Sequence, residues 1–153
     1  MPFSRWTDWN NRDNIPQINY PGVYIIAKTD KNITGKKFSL IKEIIYIGMT
    51  NSKGGLKARL KQFDNTIKGK LQHGGADRVR YKYPQYNKLI SKLYTSVSYI
   101  DADTTNPKTG DWKKMGEVAK HEYVMIAKYL DKFRRLPEFN NKTTHKFSKH
   151  SSK

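Results

Sequence analysis

Glu122 occupies a position that calls for a chemical partner. On a helical wheel of residues 115–133, at about 100° per residue, Met115, Val118, Ala119, Met125, Ile126, Tyr129 and Phe133 all fall within about 60° of it. The carboxylate therefore lies in the middle of an apolar stripe, whereas Glu117 projects away from the stripe and reads as solvated. Burial of an unpaired carboxylate is costly, so Glu122 needs an arginine or lysine, a metal ion, or a proton. The wheel alone is equally consistent with a structural ion pair and with a metal ligand.

Arg59 is the second such residue. Leu56, Leu60, Phe63 and Ile67 define the buried stripe of a helix over about residues 56–67, and Arg59 sits at its edge. An edge arginine either packs its stem and exposes its head, or aims its guanidinium at a phosphate from the rim of a cleft. Two tyrosines complete the set. Tyr24 lies in Val23-Tyr24-Ile25-Ile26-Ala27 and Tyr46 in Ile44-Ile45-Tyr46-Ile47, both β-branched runs that read as strands. The chain has ten tyrosines, so either alone would pass as core filler. Gly22 and Gly48, each two positions from its tyrosine, allow close backbone approach beside the ring. A pair of tyrosines, an arginine and a carboxylate form a workable set for phosphodiester hydrolysis.

The surrounding elements are short and alternate in type. Residues 1–20 read as a polar arm with Trp6 and Trp9 as its large apolar anchors. Strands over residues 23–27, 44–48 and 95–100 are expected. Asn51 or Ser52 could cap the helix that carries Arg59. Residues 68–83 form a glycine-punctuated basic segment holding His73, Arg78, Arg80 and Lys82. A second helix is expected to start at Pro84 and run through Leu89, Ile90 and Leu93. Residues 101–114 read as a loop and residues 115–133 as the last helix. The expected fold is α/β (α+β): a small, mainly antiparallel three-stranded sheet flanked by helices. The expected organisation is an arm over residues 1–20, one domain over 21–141, and a basic tail over 142–153 with little to bury.

Composition bounds the partner. Against 13 acidic residues the 153-residue chain carries 30 Lys plus Arg, a formal net charge of +17, which points to a polyanion, most simply nucleic acid. The absence of cysteine excludes disulfides, cysteine-ligated zinc and thiol nucleophiles. No window approaches the ~20 apolar residues of a membrane span, and the first residues lack an apolar signal core, so a cytoplasmic protein without membrane contact is expected. His121-Glu122 lacks the second histidine of a zinc-protease helix, Asp101-Ala102-Asp103 lacks the rest of a calcium loop, and no phosphate-binding loop is present.

The ordered set resembles the GIY-YIG nuclease superfamily over about residues 21–141. Gly22-Val23-Tyr24 matches its first motif with valine in the aliphatic place, and Tyr46-Ile47-Gly48 matches its second letter for letter. Arg59 falls on the following helix. The run from Glu122 to Tyr129 is similar to the family's glutamate helix, and Phe139-Asn140 to its closing aromatic–asparagine pair. The resemblance implies a restriction-type or mobile-element endonuclease that cuts double-stranded DNA with magnesium or manganese. It implies that Glu122 holds the ion, Arg59 binds the phosphate, Tyr24 is the general base, Tyr46 orients the water and Asn140 supports the site. An unperturbed tyrosine has a pKa of ~10, so a cation must lower it, and Lys28 and Lys42 share strand parity with Tyr24 and Tyr46. One departure stands out. Many members carry a histidine or tyrosine one helical turn after the arginine, where this chain has Phe63, and His73 is the candidate substitute for the missing polar group. Phe63 keeps open a non-catalytic nucleic-acid-binding module on the same fold, and an RNA-directed nuclease is a third reading. The domain nearly fills the chain, which favours a restriction or mobile-element role over a multidomain repair enzyme. His73, Arg78, Arg80 and Lys82 are the expected nucleic-acid contacts, and a homodimer on DNA is expected for cutting both strands.

Overall fold

Four antiparallel strands form one open sheet in the order β1 (Thr7–Asp8), β4 (Leu93–Tyr99), β2 (Gly22–Lys28), β3 (Ile44–Thr50). The structure, a computed structural model, describes residues 1–141. Strand β2 is paired on both sides and buried along all of its length except Lys28. Its two faces enter different layers. Tyr24 and Ile26 pack with Leu56, Leu60 and Phe63 of α1 (Gly55–Lys68), Val79 of α2 (Gly74–Lys82) and Leu89 of α3 (Tyr86–Ile90). Val23, Ile25 and Ala27 pack with Val118, Met125 and Tyr129 of α4 (Thr109–Phe133). A strand covered on both faces needs apolar residues at every position, which is why this run shows no polar alternation.

Several expectations are corrected. The sheet has four strands rather than three, because Thr7 and Asp8 pair with Thr95 and Tyr94. Two residues are too few to show a period of two, so this strand leaves no pattern in the sequence. Its neighbours Trp6 and Trp9 are 2% and 0% exposed and enter opposite layers of the core. The helix expected from Pro84 to Leu93 is only α3, and Leu93 begins β4. The segment over 68–83 contains α2, and α4 begins at Thr109, inside the expected loop. Neither Asn51 nor Ser52 caps α1. Gly54 precedes that helix without a side-chain cap, and Asn51 Nδ2 donates to the Met115 carbonyl at 2.9 Å, tying the loop to α4. The tail expected over 142–153 lies outside the described residues. Among the described residues no helix is long and apolar enough to cross a membrane.

A carboxylate hub ties Trp9 and Arg12 to α1 and α3. Asp64 on α1 accepts from Trp9 Nε1 at 2.8 Å and from the Tyr86 hydroxyl at 2.7 Å, and pairs with Arg12 at 3.3 Å and Lys68 at 3.0 Å. Burial raises the pKa of this carboxyl, but the hydrogen bonds from Trp9, Tyr86 and Lys68 and the Arg12 charge outweigh it, so the net shift is downward.

Candidate active site

The sheet register brings the two glycine–tyrosine motifs face to face. Tyr24 on β2 is the cross-strand partner of Gly48 on β3, and its ring lies over the space a side chain there would fill. A Cβ at Gly48 would stand 2.5 Å from Tyr24 Cζ and Oη and 2.8 Å from the Tyr46 ring, closer than any real Cβ contact. The two rings have centroids 6.1 Å apart. Tyr24 is 1% exposed, whereas Tyr46 is half-buried and is the more accessible of the pair.

His73 joins them from α2, where it is the residue preceding the first helical turn. It is 2% exposed, and its Nε2 lies 2.6 Å from the Tyr24 hydroxyl. Its ring stands edge-on to Phe63 at 5.0 Å and to Tyr46 at 5.3 Å. Phe63 thus forms the apolar wall against which a histidine from another helix is held. A Cβ at Gly75 would come within 2.5 Å of Tyr46 Cε1, so that glycine is required by ring packing. The run His73-Gly74-Gly75 reads as a loop because two glycines imitate one, yet Gly75 sits inside a helix.

Arg59 is half-buried and its Nη1 donates to Gln62 Oε1 at 2.7 Å. Its guanidinium charge acts on Tyr24, Tyr46 and His73 together. Glu122 is half-buried on α4, between Val118 and Met125 on the buried stripe as the wheel requires. It comes from the layer opposite the tyrosines, yet its charge also acts on both of them. Strand β3 is the outermost strand on this side, so both layers reach the same rim. Burial raises the Tyr24 pKa, and the neighbouring Tyr46 adds to the rise, with Arg59 opposing it. Burial likewise raises Tyr46, opposed by the Arg78 and Arg59 charges. The cations that matter here are therefore arginines. Lys28, expected as an alternative from strand parity, instead places its Nζ 4.3 Å from the centre of the Tyr83 ring.

Asn140 meets the site from the short turn Glu138–Asn140. Its Oδ1 accepts from the Ile47 N–H at 2.9 Å and its Nδ2 donates to the Ile47 carbonyl at 2.8 Å. Those two groups point outward from an edge strand, so the amide closes a ladder that has no further strand. Arg78 secures the turn, donating from Nε and Nη2 to the Phe139 carbonyl at 3.2 and 2.7 Å.

These contacts correct the expected exposure of two of the four residues assigned to a nucleic-acid face. His73 and Arg78, at 2% and 3% exposed, are interior residues because Tyr24 and the Phe139 carbonyl satisfy them. Arg80 is half-buried, with its guanidinium against Gly69 at the end of α1. Lys82 is exposed and pairs with Glu138. It lines, with Lys28, Lys88 and Lys92, a groove of about 270 Å³ beside Tyr83. Among the described residues no group of three or more His, Cys, Asp or Glu could hold a metal ion. Compared with known proteins, the chain matches no family model, no curated protein and no solved structure.

Proposed function

We propose that the chain is a metal-dependent DNA endonuclease of GIY-YIG type. The observation that supports this reading is convergence: Tyr24 and Tyr46 meet over Gly48 with ring centroids 6.1 Å apart, and the Arg59 charge on α1 and the Glu122 charge on α4, from opposite layers, both act on them. Arg59 binds the scissile phosphate and the charge that develops on it. Glu122 would hold a divalent ion, which when bound would supply positive charge to stabilise the leaving oxygen. Tyr46, the more accessible hydroxyl, meets the attacking water, and Tyr24 backs it from the core. This exchanges the two tyrosine roles expected from the family pattern, for a physical reason: forming a phenolate at the fully buried Tyr24 costs more than forming one at Tyr46. Asn140 and Arg78 hold the β3 edge in place. The +17 charge supports a polyanionic substrate.

The test is Glu122→Gln, which keeps the shape and removes the charge. Cleavage of plasmid DNA with magnesium is expected to disappear while DNA binding persists. Cleavage at the wild-type rate would remove Glu122 as the metal ligand. The burial of Tyr24 favours a second reading, a non-catalytic nucleic-acid-binding module. Metal-dependent nicking by the wild-type protein separates the two.

A further inference from the structure

The imidazole of His73 has both nitrogens engaged, and the two contacts together fix where its proton lies. The Ala76 backbone N–H donates to Nδ1 at 3.1 Å, as a helix-capping bond at the start of α2. A nitrogen that accepts has no proton of its own, and a neutral imidazole carries one N–H. The proton is therefore on Nε2, which faces the Tyr24 hydroxyl at 2.6 Å. In that bond His73 donates and the phenol oxygen accepts. The Tyr24 proton must then point elsewhere, and the neighbouring phenol is Tyr46, whose ring centroid lies 6.1 Å from that of Tyr24.

We propose that His73 is a positioning residue, a fixed hydrogen-bond donor that orients the Tyr24 hydroxyl onto Tyr46, and not a proton acceptor. The chain runs in one direction, from the Ala76 N–H through Nδ1 and Nε2 of His73 to the Tyr24 oxygen, which leaves the Tyr24 proton to turn toward Tyr46. A bond donated to the Tyr46 oxygen would grow stronger as that oxygen loses its own proton. This places at the site the polar contact that Phe63 cannot make, from a different helix. The charged and titratable groups around the imidazole are Tyr24 on β2, Tyr46 on β3, Arg59 on α1 and Arg78 on α2. Burial, then the Arg59 and Arg78 charges, push the His73 pKa to about 3, so the ring stays neutral at working pH. The role of the chain in catalysis rests on the nuclease reading above, whereas the tautomer does not.

Nitrogen-15 NMR of the full-length protein between pH 5 and 8 tests the tautomer directly. The expected spectrum has a protonated Nε2, an unprotonated Nδ1, and no titration across the range. A proton on Nδ1, or a ring that titrates near its ordinary value of ~6.5, would overturn the proposal. This outcome does not depend on cleavage, so a fixed tautomer in a protein that cuts nothing would defeat the nuclease reading alone. Substitution then tests the direction of the bond. His73→Gln keeps an N–H donor, and His73→Glu offers only acceptors at neutral pH. Cleavage by His73→Glu is expected to fall about 10- to 100-fold below that of His73→Gln, the worth of one hydrogen bond to a charged group. Equal rates for the two variants would overturn the positioning role.

Discussion

Gly48→Ala is the smallest change that should disrupt the site, because it adds one methyl group where Tyr24 already lies. The new Cβ would stand 2.5 Å from Tyr24 Cζ and Oη, about 0.9 Å short of the nearest ordinary contact at 3.4 Å. Tyr24 has no free space to retreat into: it is 1% exposed on a strand paired on both sides. The overlap must be shared between ring and backbone, which costs about 1–3 kcal/mol in a packed core. Against a total stability of about 5–15 kcal/mol this is a large fraction. In urea it should lower the unfolding midpoint by roughly 1 M. A displacement of that size along the Tyr24–His73 line would also stretch their 2.6 Å contact to the limit of a hydrogen bond. Two measurements follow: urea unfolding of both proteins, and the His73 imidazole NMR signals in each. An unchanged midpoint together with unchanged His73 signals would refute the reasoning, since both rest on the same contact.

Asn140→Ala should expose the Ile47 edge groups, lower stability by about 1–2 kcal/mol, and speed hydrogen exchange of the Ile47 amide; unchanged exchange would contradict the edge-closing role. Asp64 gives a pH signature. Because its folded pKa lies below the unfolded value, its contribution is present above about pH 4 and is lost as pH falls through the lower folded value. Asp64→Asn should therefore flatten the acid limb of urea midpoints measured between pH 2 and 6. DNA affinity should fall steeply with salt, by about five log units per log unit of salt if six phosphates are neutralised; a slope near zero in a fluorescence titration would remove nucleic acid as the partner. Concerted cutting of both strands should involve two protein copies per duplex in light scattering, since one set of site residues cuts one strand; linearisation by a complex with one copy would defeat that.

The residues legible in the sequence were those governed by local periodicity. Glu122 in an apolar stripe, Arg59 at a helix edge, and Tyr24 and Tyr46 in apolar strands all follow from patterns within one element, and the elements carry them as expected. What escaped was set by contacts between distant segments. Arg78 reads as a surface cation because nothing near it in sequence explains burial, and its partner, the Phe139 carbonyl, lies 61 residues on. Helix α2 was hidden by glycines whose purpose is packing, as Gly75 against the Tyr46 ring shows. His73 was legible as a candidate substitute for the polar group missing at Phe63, but its bond to Tyr24 spans 49 residues and leaves no local trace. Trp6 and Trp9 were recognisable as anchors. The strand between them was not, since two residues carry no period.

The central claim is that the Tyr24, Tyr46, Arg59 and Glu122 constellation hydrolyses phosphodiester bonds with a divalent ion. Its most direct test is incubation of the purified full-length protein with supercoiled plasmid, with magnesium or manganese and again with excess chelator. The account predicts nicked or linear DNA only with the metal, and its loss in Arg59→Ala protein that remains folded. Intact plasmid under every metal condition, with DNA binding retained, would contradict it.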